Sequence, residues 1–401
     1  MTRKAVSAAA IGNAIEWFDF GVYAFLVEIV AARFFPNVDP SARTLALLVV
    51  ARMGQGFSTG GEYAGAATFI SEYAPDKRRG FYGSWLEFGT LAGFSASAGL
   101  AVLLNRTLSG AAMDAWGWRV PFLVALPFGV VGLYLRLRLD ETPTFQECVA
   151  EHDHTARSGL REVLAHHWRE MLLCFGLVVL LNVADYTVLV DTSSYLTSVL
   201  HKPSKSVSLL ILGVLLGMMV VIVPIGSLSD RIRRKPLLLT SGFGFLLLSG
   251  PAYWLLVKNT ASSVPAGLAI IAFCQVCYLA VVGSTLPAIF HTRVRYGGFA
   301  ISYNVCTSLF GGTAPFMIAY LMRHTHNEFI PAFYLMGAAA VSIIPMLLIK
   351  ETAGQPLRGT EAARRVAAQP ASVPRTGRPN RPEPARRVQP CHRVVHKLGA
   401  S

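Results

Sequence analysis

Apolar stretches of about twenty residues recur along the whole chain, separated by short polar segments. Each stretch is long enough to cross a hydrocarbon core of roughly 30 Å as an α-helix. Of the 401 residues, 53% are hydrophobic and 15% are charged, whereas about 25% are charged in an average soluble domain. The pattern predicts an all-α polytopic membrane protein and excludes a soluble globular domain.

The hydrophobic pattern predicts ten membrane spans, and an even number places both termini on the same side of the membrane. Short loops rich in Lys and Arg are expected to face the cytoplasm. The basic residues Lys77 to Arg79 and Arg231 to Lys235 place the amino terminus inside by this criterion. The predicted spans are residues 11–35, 44–74, 81–104, 118–139, 170–190, 207–228, 237–257, 264–289, 297–322 and 329–350.

One long polar loop divides the spans into a group of four and a group of six. We predict an N-terminal bundle at residues 1–139, this cytoplasmic loop at 140–169, a C-terminal bundle at 170–350 and a tail at 351–401. The tail contains ten Lys or Arg residues, three Glu and seven Pro. Because so polar a segment cannot bury enough apolar surface to fold, we expect a disordered, solvated cytoplasmic tail. Its charge favours anionic lipid over nucleic acid as a partner.

Polar and ionisable residues inside the predicted spans are the candidate functional groups, since a charge in hydrocarbon costs several kcal/mol unless it faces a cavity or a partner. In the first two spans they recur every three or four residues, which places them on one helical face. Such acids could carry protons and bind a ligand, or could form static ion pairs between helices. The candidates are Asn13, Glu16, Asp19 and Tyr23 in the first span, Arg52, Gln55, Thr59 and Glu62 in the second, and Glu87, Asn182 and Asp185 further along the chain.

The sequence carries no motif of a soluble enzyme, such as a phosphate-binding loop, a paired-His zinc motif or a nucleophile elbow. The His residues of the central loop lack the spacing of metal ligands. We therefore expect no enzymatic activity, no cofactor and no metal site.

Residues 226–236, GSLSDRIRRKP, resemble the cytoplasmic loop signature of the major facilitator superfamily. Further segments resemble its metabolite:proton symporter branch, and within that branch the bacterial osmoprotectant transporters. These segments are GNAIEWFDFGVYAF at 12–25, ARMGQGFSTGGEYAGA at 51–66, YAPDKRRGFYGSWLEFGTLAGF at 73–94, WGWRVPF at 116–122 and STLPAIF at 284–290. The resemblance covers nearly all of residues 10–358.

The resemblance implies a major facilitator fold and proton-coupled symport of a small osmoprotectant, such as proline or glycine betaine, across the bacterial inner membrane. The partners it implies are the solute, protons and the lipid bilayer. The oligomeric state is open, and we expect a monomer. Related members carry organic acids such as α-ketoglutarate, shikimate or citrate, so these are alternative substrates.

The chain departs from the family's twelve helices. It passes from a segment like the start of the family's second helix, at residues 41–47, directly into one like the fourth helix, at Arg52. We therefore expect a truncated fold of about ten spans, four plus six. Because two helices are missing, two other functions stay open. The chain would then be a degenerate protein that does not transport, or a membrane-bound sensor that uses the basic tail.

The resemblance also implies roles for particular residues. Positions that match proton-coupling or solute-binding residues are Glu16, Asp19, Arg52, Gln55 and Glu62. Further candidates for solute contact are Trp17, Tyr23, Trp85, Glu87, Asn182 and Asp185, the aromatic rings because a quaternary ammonium binds over an aromatic face. Positions that match the conformational gating loop are Gly226, Asp230, Arg231 and Arg234. At Arg233 the family usually has Gly.

Overall fold

The computed structural model describes residues 2–34, 53–54, 61–138 and 165–359. These residues form helices joined by short turns, and no strand occurs among them. Seven of their helices are long and apolar enough to cross a membrane. The predicted all-helical membrane fold is confirmed, whereas the count of ten spans stays a prediction. Most of the predicted central loop and tail lies outside the described residues.

The described helices of the first part of the chain overlap the four predicted spans, but the first helix begins at Thr2, nine residues before its predicted start, and most of residues 44–60 lies outside the described part of the chain. These helices are α1 at Thr2–Phe34, α2 at residues 61–73, α3 at Arg79–Thr107, α4 at Gly110–Ala115 and α5 at Val120–Arg138. The short α4 begins where the Ser109 side chain accepts a hydrogen bond from the backbone N–H of Ala112 at 3.3 Å, which is an N-cap.

Residues 165–359 form seven α-helices of twelve or more residues. They are α6 at Trp168–Asp185, α7 at Ser204–Ile232, α8 at Arg234–Val257, α9 at Ser263–Ile289, α10 at Arg295–Cys306, α11 at Ala314–Thr325 and α12 at Ile330–Leu348. Both α11 and α12 have a proline in the first turn, where its missing N–H leaves no helical bond unmade.

Two of these spans contain π-helical turns. The helix α6 continues through such turns at Tyr186–Asp191 and Tyr195–Val199, and α10 continues through one at Thr307–Gly311. The two helices touch there, because a Cβ atom on Gly311 would lie 2.9 Å from Oδ1 of Asn182. π-Helical turns in α-helices often occur at functional sites. The region where these turns meet is therefore a candidate functional site.

Helix α3 lies between the two parts of the chain, in contact with α1, α7 and α9. Glycines allow the close approach: a Cβ on Gly93 of α3 would lie 2.8 Å from the backbone N of Phe18, and one on Gly226 of α7 would lie 2.5 Å from Cβ of Ser84. Small residues at helix contacts let membrane helices pack backbone to backbone. The polar residues of α3 are thereby brought beside those of both parts.

Candidate functional site

Glu87 of α3 is almost fully buried, with 1% of its surface exposed. Its carboxylate accepts hydrogen bonds from the hydroxyl of Tyr63 on α2 and from the hydroxyl of Thr90, the latter at 3.0 Å. The side-chain amide of Asn13 on α1 donates to Oγ1 of Thr90 at 2.7 Å and to the backbone O of Leu86 at 2.8 Å. Three helices therefore meet around one buried carboxyl group.

Asp185, the last residue of α6, is a second buried acid, with 4% exposed. Its carboxylate accepts a hydrogen bond from the side-chain amide of Gln275 on α9, which is completely buried. Glu87 and Asp185 are close enough for their charges to interact. Among the described residues, neither acid forms an ion pair with a basic side chain.

Tyr303 of α10 lies near both of these acids. Its ring stacks on Tyr63 with 4.5 Å between centroids, and it interacts electrostatically with Glu87, Asp185 and Glu16. We call the following residues the central cluster: Asn13, Glu16, Tyr63, Glu87, Thr90, Asp185, Gln275 and Tyr303. It combines carboxyl groups, which can take up protons, with ring faces, which attract an alkylated ammonium group.

The predicted site residues of the first two spans are placed differently from one another. Glu16 is partly buried at the central cluster, and Trp17 is buried against Phe94 with 5.4 Å between ring centroids. In contrast, Asp19 and Glu62 are exposed. Arg52, Gln55, Thr59 and the side chain of Tyr23 lie outside the part of the chain that the structure describes.

Of the later candidates, Asn182 is buried one turn before Asp185, and its amide donates to the backbone O of Val178 at 3.1 Å. Trp85 does not join the central cluster. It is two residues from Glu87 and therefore on the opposite side of α3, where it lines a pocket with Arg78.

Four members of the central cluster were not predicted from the sequence, namely Tyr63, Thr90, Gln275 and Tyr303. Gln275 gave a signal, because it is an amide within the apolar run of residues 270–282. The two tyrosines gave none, since tyrosine is common in membrane helices and only packing shows which rings meet a carboxyl group.

A second group of candidate residues closes one end of the bundle. The carboxylate of Asp230, near the end of α7, accepts hydrogen bonds from the backbone N–H groups of Gly80 at 2.8 Å and Phe81 at 2.9 Å. These donors belong to the first turn of α3, where the helix dipole favours a negative charge. The guanidinium of Arg234 lies 3.7 Å from the same carboxylate. One acid thus joins the two parts of the chain.

Residues 351–359, which we call the strap, bind at the same end. Three arginines, each at most 2% exposed, donate hydrogen bonds to it. The bonds are Arg79 to the backbone O of Gln355 at 3.0 Å, Arg234 to Oγ1 of Thr352 at 3.0 Å, and Arg295 to the backbone O of Arg358 at 3.0 Å. Arg295 also forms an ion pair of 2.7 Å with Glu72, which belongs to α2. The strap therefore contacts both parts of the chain.

Glu351 begins the strap and accepts four backbone hydrogen bonds. The donors are the N–H groups of Arg234 at 3.2 Å and Lys235 at 3.1 Å, at the start of α8, and of Thr352 at 2.9 Å and Ala353 at 2.8 Å. Burial alone would raise the pKa of Glu351, but these donors outweigh it and hold the pKa below its ordinary value. We call Asp230, the three buried arginines, Glu72 and the strap together the clasp.

The residues that the sequence suggests for gating lie in the clasp or next to it. Asp230 and Arg234 are part of it, and Gly226 provides the close contact of α7 with α3. Arg231 is exposed beside the clasp. Arg233, where the family usually has Gly, has φ 78° and ψ 160°, which is a conformation that glycine adopts far more readily than other residues.

Comparison with known proteins gives a consistent result. The family model described as "Sugar (and other) transporter" matches residues 37–169 and 160–363. The glycine betaine/proline/ectoine/pipecolic acid transporter of Dickeya dadantii is 36% identical, and the proline/betaine transporter of Escherichia coli K12 is 37% identical. Each alignment covers 90% of this chain and 86% of the relative. The ectoine/proline transporter of Corynebacterium glutamicum is 32% identical, over 89% and 86%.

Solved structures show the same fold at lower sequence identity. The proton:xylose symporter XylE, a major facilitator superfamily protein, superposes with a TM-score of 0.64 at 16% identity, over 90% of this chain and 98% of that one. A bacterial homologue of the iron transporter ferroportin superposes with a TM-score of 0.52 at 13% identity, over 86% and 98%.

The alignments also show that this chain is shorter than its relatives within the matched region. The alignment to the Escherichia coli protein has 430 positions, yet 90% of 401 residues is only about 361, so about 69 positions are gaps in this chain. That length suits two spans of about 20 residues with their loops. The omission of two spans near Arg52 stays a prediction, because those residues lie outside the described part of the chain.

The family match, the relatives and the fold lead to one conclusion. This chain is a multi-pass membrane protein that belongs to the sugar (and other) transporter family of the major facilitator superfamily, with proline/betaine transporters among its relatives.

Proposed function

We propose that this chain carries a small zwitterionic osmoprotectant, such as proline or glycine betaine, across the inner membrane together with protons. Support for the solute comes from the relatives, which are named as transporters of proline, betaine and ectoine. No relative reported above is named for an organic acid, which disfavours α-ketoglutarate, shikimate or citrate. Activity of this kind is transport without chemical conversion, so we propose no enzymatic role.

The observation that carries proton coupling is the pair of buried acids in the central cluster. Glu87 and Asp185 are 1% and 4% exposed and have hydroxyl or amide partners but no cation among the described residues. An uncompensated charge at such a place costs several kcal/mol. A proton or a cationic ligand removes that cost, so binding of either one changes the affinity for the other.

The same cluster suits the two ends of a zwitterion. A carboxylate attracts the ammonium group, and the stacked rings of Tyr63 and Tyr303 offer it an aromatic surface. The amide of Gln275 and the hydroxyl of Thr90 can bind polar groups. Because the cluster draws residues from both parts of the chain, relative motion of the two parts would rearrange it, as alternating access requires.

We place the clasp at the cytoplasmic end of the bundle. Its neighbours Lys77, Arg78 and Arg231 are exposed basic residues, which concentrate on the cytoplasmic side of membrane proteins. Both termini are then cytoplasmic. We propose a monomer with an N-terminal bundle of four spans at 1–139, a loop at 140–169 and six spans at 170–350. A closed clasp leaves entry from the outside, and inward opening requires Asp230 to release α3.

Solute uptake tests the proposal. Bacterial cells that lack their own osmoprotectant transporters, expressing the full chain, are given labelled proline or glycine betaine with and without a protonophore. We expect uptake that the protonophore abolishes. Glu87→Gln and Asp185→Asn should each lower uptake at least tenfold at equal membrane abundance, whereas Asp114→Asn, a change of an exposed acid on α4, should leave it unchanged.

Three alternatives have their own outcomes in this assay. Absence of uptake by a chain that is present and folded in the membrane contradicts transport and supports the degenerate protein. Uptake of labelled citrate or α-ketoglutarate in place of proline contradicts the osmoprotectant assignment. Uptake that survives the protonophore contradicts proton coupling.

A further inference from the structure

The clasp end of α3 carries a groove whose two parts differ in chemistry. One part, about 380 Å³ in volume, is lined mainly by apolar and aromatic side chains, including Val6 of α1 and Tyr82 and Trp85 of α3. The other, about 430 Å³, is lined by polar side chains, including Lys77, Asp230 and Arg231. Arg78 and Phe81 line both parts, so the two parts adjoin each other.

The polar part of the groove carries a positive charge. Lys77, Arg78 and Arg231 are exposed and, within the described part of the chain, form no ion pair. The neighbouring acids are already engaged: Asp230 accepts the two backbone hydrogen bonds of the clasp, and Asp76 pairs with Arg79 at 2.6 Å. Three cations therefore face any molecule that enters.

The apolar part continues along α3 in the direction of the span. Phe81, Trp85 and Phe88 form a ladder of rings, with 6.4 Å between the centroids of the first two and 5.0 Å between those of the second two. Their spacing of four and three residues places them on one helical face. Since α3 is a membrane span that begins at Arg79, the ladder starts at the level of the lipid headgroups and runs toward the acyl chains.

We propose that this groove binds an anionic phospholipid, with the phosphate at Lys77, Arg78 and Arg231 and an acyl chain along the aromatic ladder. The order of the two parts matches the order of headgroup and chain in a bilayer. Basic pockets between membrane helices recognise anionic headgroups through this charge complementarity. A free phosphate would use the cations alone and leave the apolar part of the groove without a role.

Tryptophan quenching by brominated lipids tests the site, because Trp85 lies in the groove. The full chain in detergent micelles is titrated with phosphatidylglycerol or phosphatidylcholine that carries bromine on the acyl chains. We expect brominated phosphatidylglycerol to quench the tryptophan fluorescence at a lower mole fraction than brominated phosphatidylcholine does. The conservative change Trp85→Phe should remove that component of the quenching while the other tryptophans keep theirs.

Charge removal supplies the matched comparison. The triple variant Lys77→Gln, Arg78→Gln, Arg231→Gln should weaken phosphatidylglycerol binding about 100-fold, at about fivefold for each basic residue near the headgroups. The control triple variant Lys202→Gln, Lys205→Gln, Arg323→Gln removes the same charge at the other end of the bundle and should bind as the unchanged protein does. Circular dichroism verifies that each variant is folded.

Three results would overturn the proposal: equal quenching by the two lipids, equal loss in both triple variants, or displacement of the lipid by soluble glycerol phosphate, which would indicate a site for a free anion. If the first triple variant does not fold, Arg78→Gln alone decides the question. Arg78 lines both parts of the groove, so this change should weaken phosphatidylglycerol binding about fivefold. Unchanged binding in that variant contradicts the proposal.

Discussion

The central cluster and the clasp both bury ionisable groups, but they satisfy them in opposite ways. In the clasp, Arg295 pairs with Glu72 at 2.7 Å and donates to backbone carbonyls, and Asp230 accepts two helix N–H groups. In the central cluster, Glu87 and Asp185 have only uncharged donors as partners among the described residues. The three arginines of the clasp are as deeply buried as Glu87 and Asp185, so their partners and not their depth distinguish the two sets of groups.

This difference has a consequence for how each region responds to change. A buried charge with a complete set of partners resists any change of protonation, and removal of one partner leaves the other exposed to the full cost of desolvation. A buried acid with neutral partners loses little when it is neutralised. The clasp is therefore expected to control stability and closure, and the central cluster to control transport.

The largest expected effect separates the two regions directly. Arg295→Leu removes the guanidinium that pairs with Glu72 and donates to the Arg358 carbonyl, and should lower the free energy of unfolding by about 3–5 kcal/mol. Glu87→Gln keeps groups that can bond Tyr63 and Thr90 and should cost no more than about 1 kcal/mol. Unfolding of the purified proteins in detergent measures both. Equal losses of unfolding free energy in the two variants would contradict the difference between the clasp and the central cluster.

A smaller effect is expected where the clasp depends on packing. A methyl group on Gly226 would lie 2.5 Å from Cβ of Ser84 and 2.9 Å from the backbone O of Gly80, so Gly226→Ala should destabilise the protein by about 2 kcal/mol. Gly217 is the matched control, because it lies in the same helix with open space around its Cβ position. Gly217→Ala should be neutral or stabilising by up to about 1 kcal/mol. A loss at Gly217 equal to that at Gly226 would argue against the close contact.

A gain in stability is expected next to the clasp. Arg233 has φ 78° and ψ 160°, a conformation that costs a residue with a side chain about 1–3 kcal/mol. Arg233→Gly should therefore raise the free energy of unfolding by about 1 kcal/mol, after the entropy of the added glycine is counted. Arg233→Ala is the control, since alanine keeps the strain and should bring no gain. A gain in both variants would assign the effect to the arginine side chain instead.

Arg233 also shows what a sequence can and cannot predict. The motif of residues 226–236 predicted both the cytoplasmic loop and the position where glycine was missing, because turn geometry is local. The spans were predictable for a similar reason: length and hydropathy decide which segments cross a membrane. Asp230 and Arg234 were predicted for the gate, but their partners at Gly80 and in the strap depend on contacts across more than a hundred residues.

The central cluster was predicted in part. Buried acids at Glu87 and Asp185 follow from the rule that ionisable residues inside spans face a partner or a cavity. The stripe of the first span showed which residues share a face, but not which neighbour that face meets. Asn13 contacts α3, whereas Asp19, on the same stripe, is exposed. Tyr63 bonds Glu87 while its sequence neighbour Glu62 is exposed, and only the helix rotation decides between them.

The smallest expected effect concerns acid stability of the strap. The four backbone donors hold the pKa of Glu351 below that of an unfolded glutamate, which is about 4.3. The stabilisation is therefore fully present above about pH 4.3 and is lost as the pH falls through the lowered folded pKa. Glu351→Gln removes this contribution, so the unfolding temperature of the variant should fall less steeply than that of the unchanged protein below about pH 4.3.

Glu328→Gln is the matched control for this acid effect, because Glu328 is an exposed glutamate in the loop before α12. The unfolding temperature of this variant should fall with pH as steeply as that of the unchanged protein. Parallel curves for all three proteins would mean that the Glu351 carboxylate does not anchor the strap through its charge. The clasp would then depend on the arginine donors alone.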